Sequence, residues 1–222
     1  MKRAGTNPTS ARRRRGFSTA EVLVGSTLSL MALATLYSFF NAQQRALATQ
    51  NVYQQSQTVT RTAVDLLSRE LRMATYDPTG AAPGPGTCGF RAGIVEARPD
   101  RIRFQQDLNG DGAINASSED LAYDIVSGAL RRQDIGAGGV PITLVSGISS
   151  GGFVLQYYDN NHTELVPTGS PAALTAAQRD CVAKVRFTIK ASLSRGDPSV
   201  SQTIDSQVES EVTIRNRSVQ II

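Results

Sequence analysis

Arg12-Arg13-Arg14-Arg15-Gly16-Phe17-Ser18-Thr19-Ala20-Glu21 runs into an uncharged stretch that ends near Phe40. Between Phe17 and Asn41 the only charged side chain is Glu21, and the next charge is Arg45. A helix rises about 1.5 Å per residue, so roughly 24 residues span a hydrocarbon core of about 30 Å. Lys2, Arg3 and Arg12 to Arg15 flank one end of the run. That places the flank in the cytoplasm and the chain beyond Phe40 on the far side of the membrane. A cleaved secretory signal would have a shorter apolar region, about 7–15 residues, followed at once by a small-x-small site. Here the downstream candidate, Ala46-Leu47-Ala48, lies beyond the polar Gln43-Gln44-Arg45.

Glu21 is the anomaly of the run. An ionisable group in hydrocarbon costs on the order of 2–3 kcal/mol even on lenient scales, so it needs a partner. Two readings follow. Glu21 snorkels to the nearby interface, or it meets a free amine created by a cut after Gly16, because such an amine is mostly charged at neutral pH.

Charge divides the chain in the same place. Lys and Arg number 23 against 19 Asp and Glu, yet residues 1–16 hold six of those positives and no acid, leaving 17 against 19, or −2. The basic character belongs to the leader. The exported part has no basic cluster with interleaved aromatics, so the overall charge does not argue for nucleic-acid binding.

Past the apolar run, 42–77 keeps helical spacing through Val52, Val59, Ala63, Leu66, Leu67, Leu71 and Ala74, without Gly or Pro. Asp65, Arg69 and Glu70 read as local charge partners on its solvent face. Asp77-Pro78 predicts the stop. The helix is expected to run about 60 residues, roughly 90 Å. Ala81-Ala82-Pro83-Gly84-Pro85-Gly86-Thr87 is a loop by composition. The period then changes. Arg101–Gln105, Leu121–Ile125, Phe153–Tyr158, Val185–Ile189 and Val208–Arg215 predict strands. The expected class is α+β: a long N-terminal helix, membrane-spanning in its first half and amphipathic in its second, packed on a mainly antiparallel β-sheet. The expected domains are 1–16 leader, 17–41 membrane half of the helix, 42–77 amphipathic half, and 78–222 globular β-rich head.

Gly16-Phe17-Ser18-Thr19-Ala20-Glu21 resembles the leader-and-cleavage motif of type IV prepilins and of the pseudopilins of type II secretion. Leu66–Tyr76, Val185–Ile189 and Glu211-Val212-Thr213-Ile214-Arg215-Asn216 are similar to PilW-like minor pilins and the related J-type pseudopilins. The resemblance covers about a third of the chain. It implies a membrane peptidase that cuts after Gly16 and methylates Phe17, with Glu21 acting in subunit recruitment and helix register. Its implied partners are the prepilin peptidase, other major and minor pilins and an inner-membrane assembly platform. Its implied location is the bacterial inner membrane, single-pass with the C-terminal domain periplasmic, then a cell-surface pilus. The chain departs from many major pilins in having no proline between Phe17 and Asp77. A secretion pseudopilin shares all these features, and a single-pass membrane enzyme or sensor is the third class.

Cys88 and Cys181 lie beyond the membrane segment, where disulfides persist, and their even count predicts a bridge; buried thiols are the alternative. Asp107, Asn109, Asp111 and Asn115, with Gly112 sixth and Ile114 eighth, match the first part of a calcium loop. The twelfth position is Ser118, with Glu119 and Asp120 after it, and a polar hairpin turn fits the Asn-Gly and Asp-Gly pairs equally naturally. No other cofactor is expected. Gly147-Ile148-Ser149-Ser150-Gly151 fits G-x-S-x-G, but a strand pattern follows where a nucleophile elbow needs a helix. His162, in Asp159-Asn160-Asn161-His162, reads as an exposed loop residue. No catalytic residues are assigned.

Overall fold

The computed structural model describes residues 16–80, 86–88, 93–194 and 203–215. The basic residues up to Arg15, expected to form a leader, residues 81–85 of the Pro/Gly loop and Asn216 lie outside the described residues. The chain divides into two compact units, Met1–Ala48 and Thr49–Ile222. Helix α1 (Thr19–Met73) starts in the first and ends in the second.

In the first unit, α1 is long and apolar enough to cross a membrane. Its large apolar residues from Val22 to Phe40 are all exposed. Its hydroxyls close on their own helix. Ser26, Thr27, Ser29, Thr35 and Ser38 donate to the carbonyls of Leu23, Val24, Gly25, Ala32 and Thr35 at 2.8–2.9 Å. Each of these five hydroxyls thereby donates without water, which is the condition hydrocarbon imposes.

The second unit places the rest of α1 on two antiparallel sheets. The first is a meander of β1 (Ile94–Ala97), β2 (Arg101–Gln105), β3 (Asp120–Val126), β4 (Ala129–Asp134) and β5 (Ile142–Ser146), in that order. The second has the order β7-β6-β8-β9, from β6 (Ile148–Tyr158), β7 (Glu164–Leu165), β8 (Lys184–Ser194) and β9 (Thr203–Thr213). The alternating segments therefore form the predicted strands, but in two sheets. Gly147, at φ +77°, makes the turn that ends one sheet and opens the other. A bulge in β6 follows, where a Cβ on Gly152 would stand 2.6 Å from the Lys190 carbonyl.

One core joins these parts. Ala63, Val64, Leu67 and Leu71 of α1 pack in a cluster that contains Ile102, Phe104, Leu121, Tyr123, Leu155, Phe187 and Ile189. Burying a Leu-sized side chain stabilises by roughly 1.5–3 kcal/mol. The Phe104 and Tyr123 rings stack with centroids 6.4 Å apart. The buried face of α1 is Ser56, Thr60, Ala63, Val64, Leu67 and Leu71. Relative to the stripe read from sequence, Val59 is exposed, while two hydroxyl residues face inward.

Glu70 also departs from the expected solvent face. Its carboxylate accepts from Arg132 Nη2 at 2.8 Å and from the Tyr123 hydroxyl. Burial, reinforced by the neighbouring Glu70 charge, pushes the Tyr123 phenol well above its usual value, so it remains a donor. The helix ends at Met73, before the expected stop at Asp77-Pro78. Thr75 takes φ +67°, and its N–H donates to the Gln105 carbonyl at 2.8 Å, while Asp107 N–H donates to Tyr76 O at 2.7 Å. Pairing with the end of β2 thus takes over the backbone groups that would have continued the helix.

Short helix α2 (Ala176–Cys181) is started by a capping box of Thr175 and Gln178. Cys181 at its end is bonded to Cys88, with Cα atoms 5.1 Å apart and a sequence separation of 93. In the chain-entropy model a loop of that size contributes about 4–5 kcal/mol.

Candidate functional site

The start of α1 gathers three residues singled out in the sequence. Gly16 and Phe17 precede the helix, and Glu21 lies in its first turn. A Cβ added at Gly16 would meet nothing within 4 Å among the described residues. Nothing described in the fold therefore requires glycine there. Ser18 caps the helix: its carbonyl accepts from Val22 N–H at 3.2 Å, and its hydroxyl oxygen accepts from Ala20 N–H at 3.4 Å. Glu21 Oε2 reaches back to accept from Ser18 N–H at 3.0 Å. This is the Ser-x-x-Glu half of a capping box, and it places a negative charge at the positive end of the helix dipole. The signal was legible as Ser18-Thr19-Ala20-Glu21 and gives Glu21 a structural role beside the snorkelling and pairing readings.

The Asp107–Asn115 segment joins β2 to β3 and is organised by its own acids. Buried Asp107 accepts from Gly110 N–H at 2.7 Å and Gly112 N–H at 3.0 Å. Exposed Asn109 and Asp111 bond each other: Asn109 Oδ1 accepts from Asp111 N–H and Asn109 Nδ2 donates to Asp111 Oδ2, both at 2.9 Å. Asp111 Oδ1 accepts from Ala113 N–H at 2.8 Å. Asn115 is exposed, and its N–H donates to Glu119 at 3.1 Å.

Glu119, one place beyond the expected closing position, is buried and accepts four backbone N–H groups, from Leu108, Asn109, Asn115 and Ala116. Each of Asp107, Asp111 and Glu119 thus has main-chain donors. Among the described residues no group of three or more His, Cys, Asp or Glu side chains gathers as a metal site would require.

Gly147-Ile148-Ser149-Ser150-Gly151 connects β5 to β6 and enters β6, so a strand, not a helix, follows the central serine. His162 is exposed in the β6–β7 turn, and its Nδ1 lies 3.1 Å from Lys184 Nζ. Ser149 and His162 fall at opposite ends of an 11-residue strand, about 35 Å long at the usual rise. The elbow arrangement is not formed. Around the same sheet, Glu211 accepts from Arg186 Nη2 at 2.8 Å and pairs with Lys184 at 2.8 Å; these contacts hold its carboxyl below the usual range.

No protein-family model and no curated protein matches the chain.

Proposed function

We propose that this protein is a minor pilin of a type IV pilus, made as a membrane precursor, cut after Gly16 and incorporated into a fibre through the first half of α1. The observation that carries this reading is the junction at Gly16-Phe17. It stands at the mouth of a helix whose large apolar side chains from Val22 to Phe40 are exposed among the described residues. A glycine that the described fold does not need is consistent with a residue read by a processing enzyme. Cleavage there leaves a free amine on Phe17, four residues before Glu21.

In the precursor, Glu21 is held by the Ser18 N–H. In the fibre, the carboxylate meets the amine of an adjacent subunit, where low dielectric strengthens the attraction. The head is held to its own segment of α1 by the Glu70–Arg132–Tyr123 contacts and the Leu67 and Leu71 packing. By resemblance, such a subunit primes or supports assembly in motility, adhesion or DNA uptake.

Amino-terminal sequencing of the protein isolated from cells tests the reading. N-methylated phenylalanine at position 17 is the expected terminus. An intact arginine tract on the assembled or membrane-resident protein removes the proposal. Glu21→Ala is expected to insert into the membrane and to fail to join the fibre; normal incorporation would refute the pairing.

A further inference from the structure

Asp159-Asn160-Asn161-His162-Thr163 forms the turn between β6 and β7. Asn161-His162-Thr163 is an Asn-x-Thr triplet, the acceptor pattern of N-linked glycosylation, which requires a surface loop on an exported chain. Three triplets in the sequence fit once proline is excluded from the middle position: Asn115-Ala116-Ser117, Asn161-His162-Thr163 and Asn216-Arg217-Ser218. The last lies outside the described residues.

The other two differ in what is left free. At the first, Ser117 Oγ donates to Asp134 Oδ2 at 3.0 Å, and Glu119 holds the N–H groups of Asn115 and Ala116 at 3.1 and 2.8 Å. Its hydroxyl and its backbone are both committed. At the second, Asn160 to Thr163 are all exposed. Asp159 Oδ1 accepts from the N–H groups of Asn161 and Thr163, each at 2.8 Å, and Asp159 N–H donates to the Thr163 carbonyl at 3.0 Å.

The Asp159 carboxylate therefore fixes the turn through main-chain groups. No side-chain hydrogen bond of Asn161 or Thr163 occurs among the described residues. The acceptor amide and the hydroxyl a transferase reads are therefore both free of side-chain hydrogen bonds among the described residues. Strand β7 is two residues long and lies at the edge of its sheet, paired to β6 at Tyr157–Leu165 and Tyr158–Glu164. Drawing the turn into an enzyme groove costs little ordered structure.

We infer that Asn161 is an N-glycosylation acceptor. In the step, Asn161 Nδ2 forms a bond to the anomeric carbon of a saccharide carried on a lipid diphosphate. The bond from that carbon to the diphosphate oxygen breaks, the lipid diphosphate departs, and one amide proton is lost to solvent. The inference goes beyond fibre assembly and rests on the exported placement of the head.

The test is mass spectrometry of peptides from the full chain, purified from the cells that make it, beside protease accessibility of the head on those cells after the outer layers are opened. The expected result is a saccharide mass on the peptide containing Asn161. Asn161→Gln and Thr163→Ala should lose it, and Thr163→Ser should retain it. Unchanged melting of the variants would show that the loss is not misfolding. An unmodified Asn161 in a protease-accessible head overturns the inference and leaves export standing. An unmodified Asn161 in a protected head overturns it together with the exported placement. Sugar confined to Asn115 or Asn216 also overturns it.

Discussion

Leu36 and Leu67 belong to the same helix, yet Leu36 is 64% exposed and Leu67 is 0% exposed. The contrast extends to their neighbours. The first half of α1 has its apolar residues uncovered, while the second buries Ser56 and Thr60, at 2% and 0% exposure. Apolarity and burial are therefore separate properties along one helix. The first half is apolar, exposed and long enough to cross a membrane, whereas the second packs on the two sheets, whose shape decides which residues go inside.

Paired substitutions break or sharpen that contrast. Leu67→Ala should destabilise the head by about 2–5 kcal/mol, the range for a cavity in a packed core. Leu36→Ala should leave head unfolding unchanged, as followed by near-ultraviolet dichroism of the buried tyrosines in denaturant. Equal effects would contradict the division. Glu70→Ala strands the half-buried Arg132 guanidinium and the Tyr123 hydroxyl, and should cost about 2–3 kcal/mol in the same assay. Glu21→Ala should instead loosen only the first turn, by about 1 kcal/mol of local helix stability, read by hydrogen exchange at residues 19–23.

Thr60→Val should be the mild case, and its direction is the informative part. The Thr60 hydroxyl is buried with no partner among the described residues. Its isosteric replacement should raise the melting midpoint, by up to about 1 kcal/mol of stability. Thr35 donates to the Ala32 carbonyl at 2.8 Å, and Thr35→Val should leave the head unchanged.

A last, smaller effect is expected on acidification. Burial alone would raise the Asp120 carboxyl, but hydrogen bonds from Arg103 and Gln105 and the Arg103 charge hold it below its usual value. Its contribution is present above the unfolded value near 4 and is lost as pH falls through the lower folded value. Asp120→Asn should flatten the fall in melting temperature below about pH 4.

Much of the fold was legible because the strands alternate. Ile102 and Phe104 face in while Arg101 and Arg103 face out, and the sequence shows that pattern directly. Strand β4, Ala129-Leu130-Arg131-Arg132-Gln133-Asp134, was not legible. Its inward set includes Arg132, acceptable there only because Glu70 arrives from a helix 62 residues away. The same long-range pairing hid the true orientation of Glu70. Ser56 and Thr60 concealed the helix register for a related reason, since polar side chains broke the apolar stripe at its start. At the candidate site, Glu21 stands out as the lone charge of the apolar run, whereas the roles of Gly16 and Phe17 come from the resemblance of Gly16–Glu21 to a prepilin motif. The capping bond to Ser18 follows from Glu21 standing three residues into a helix that Ser18 starts, a signal that its reading as a charge needing a cation does not use.

The bond between Cys88 and Cys181 encircles β1 to β7 and leaves β8 and β9 outside. A chain under synthesis cannot close it until 93 further residues follow the first thiol. By then every strand of the five-stranded sheet has been made, whereas the two long strands that finish the other sheet have yet to appear. Closure of this bond therefore cannot precede synthesis of the whole five-stranded sheet, while β8 and β9 can still be awaited when it forms.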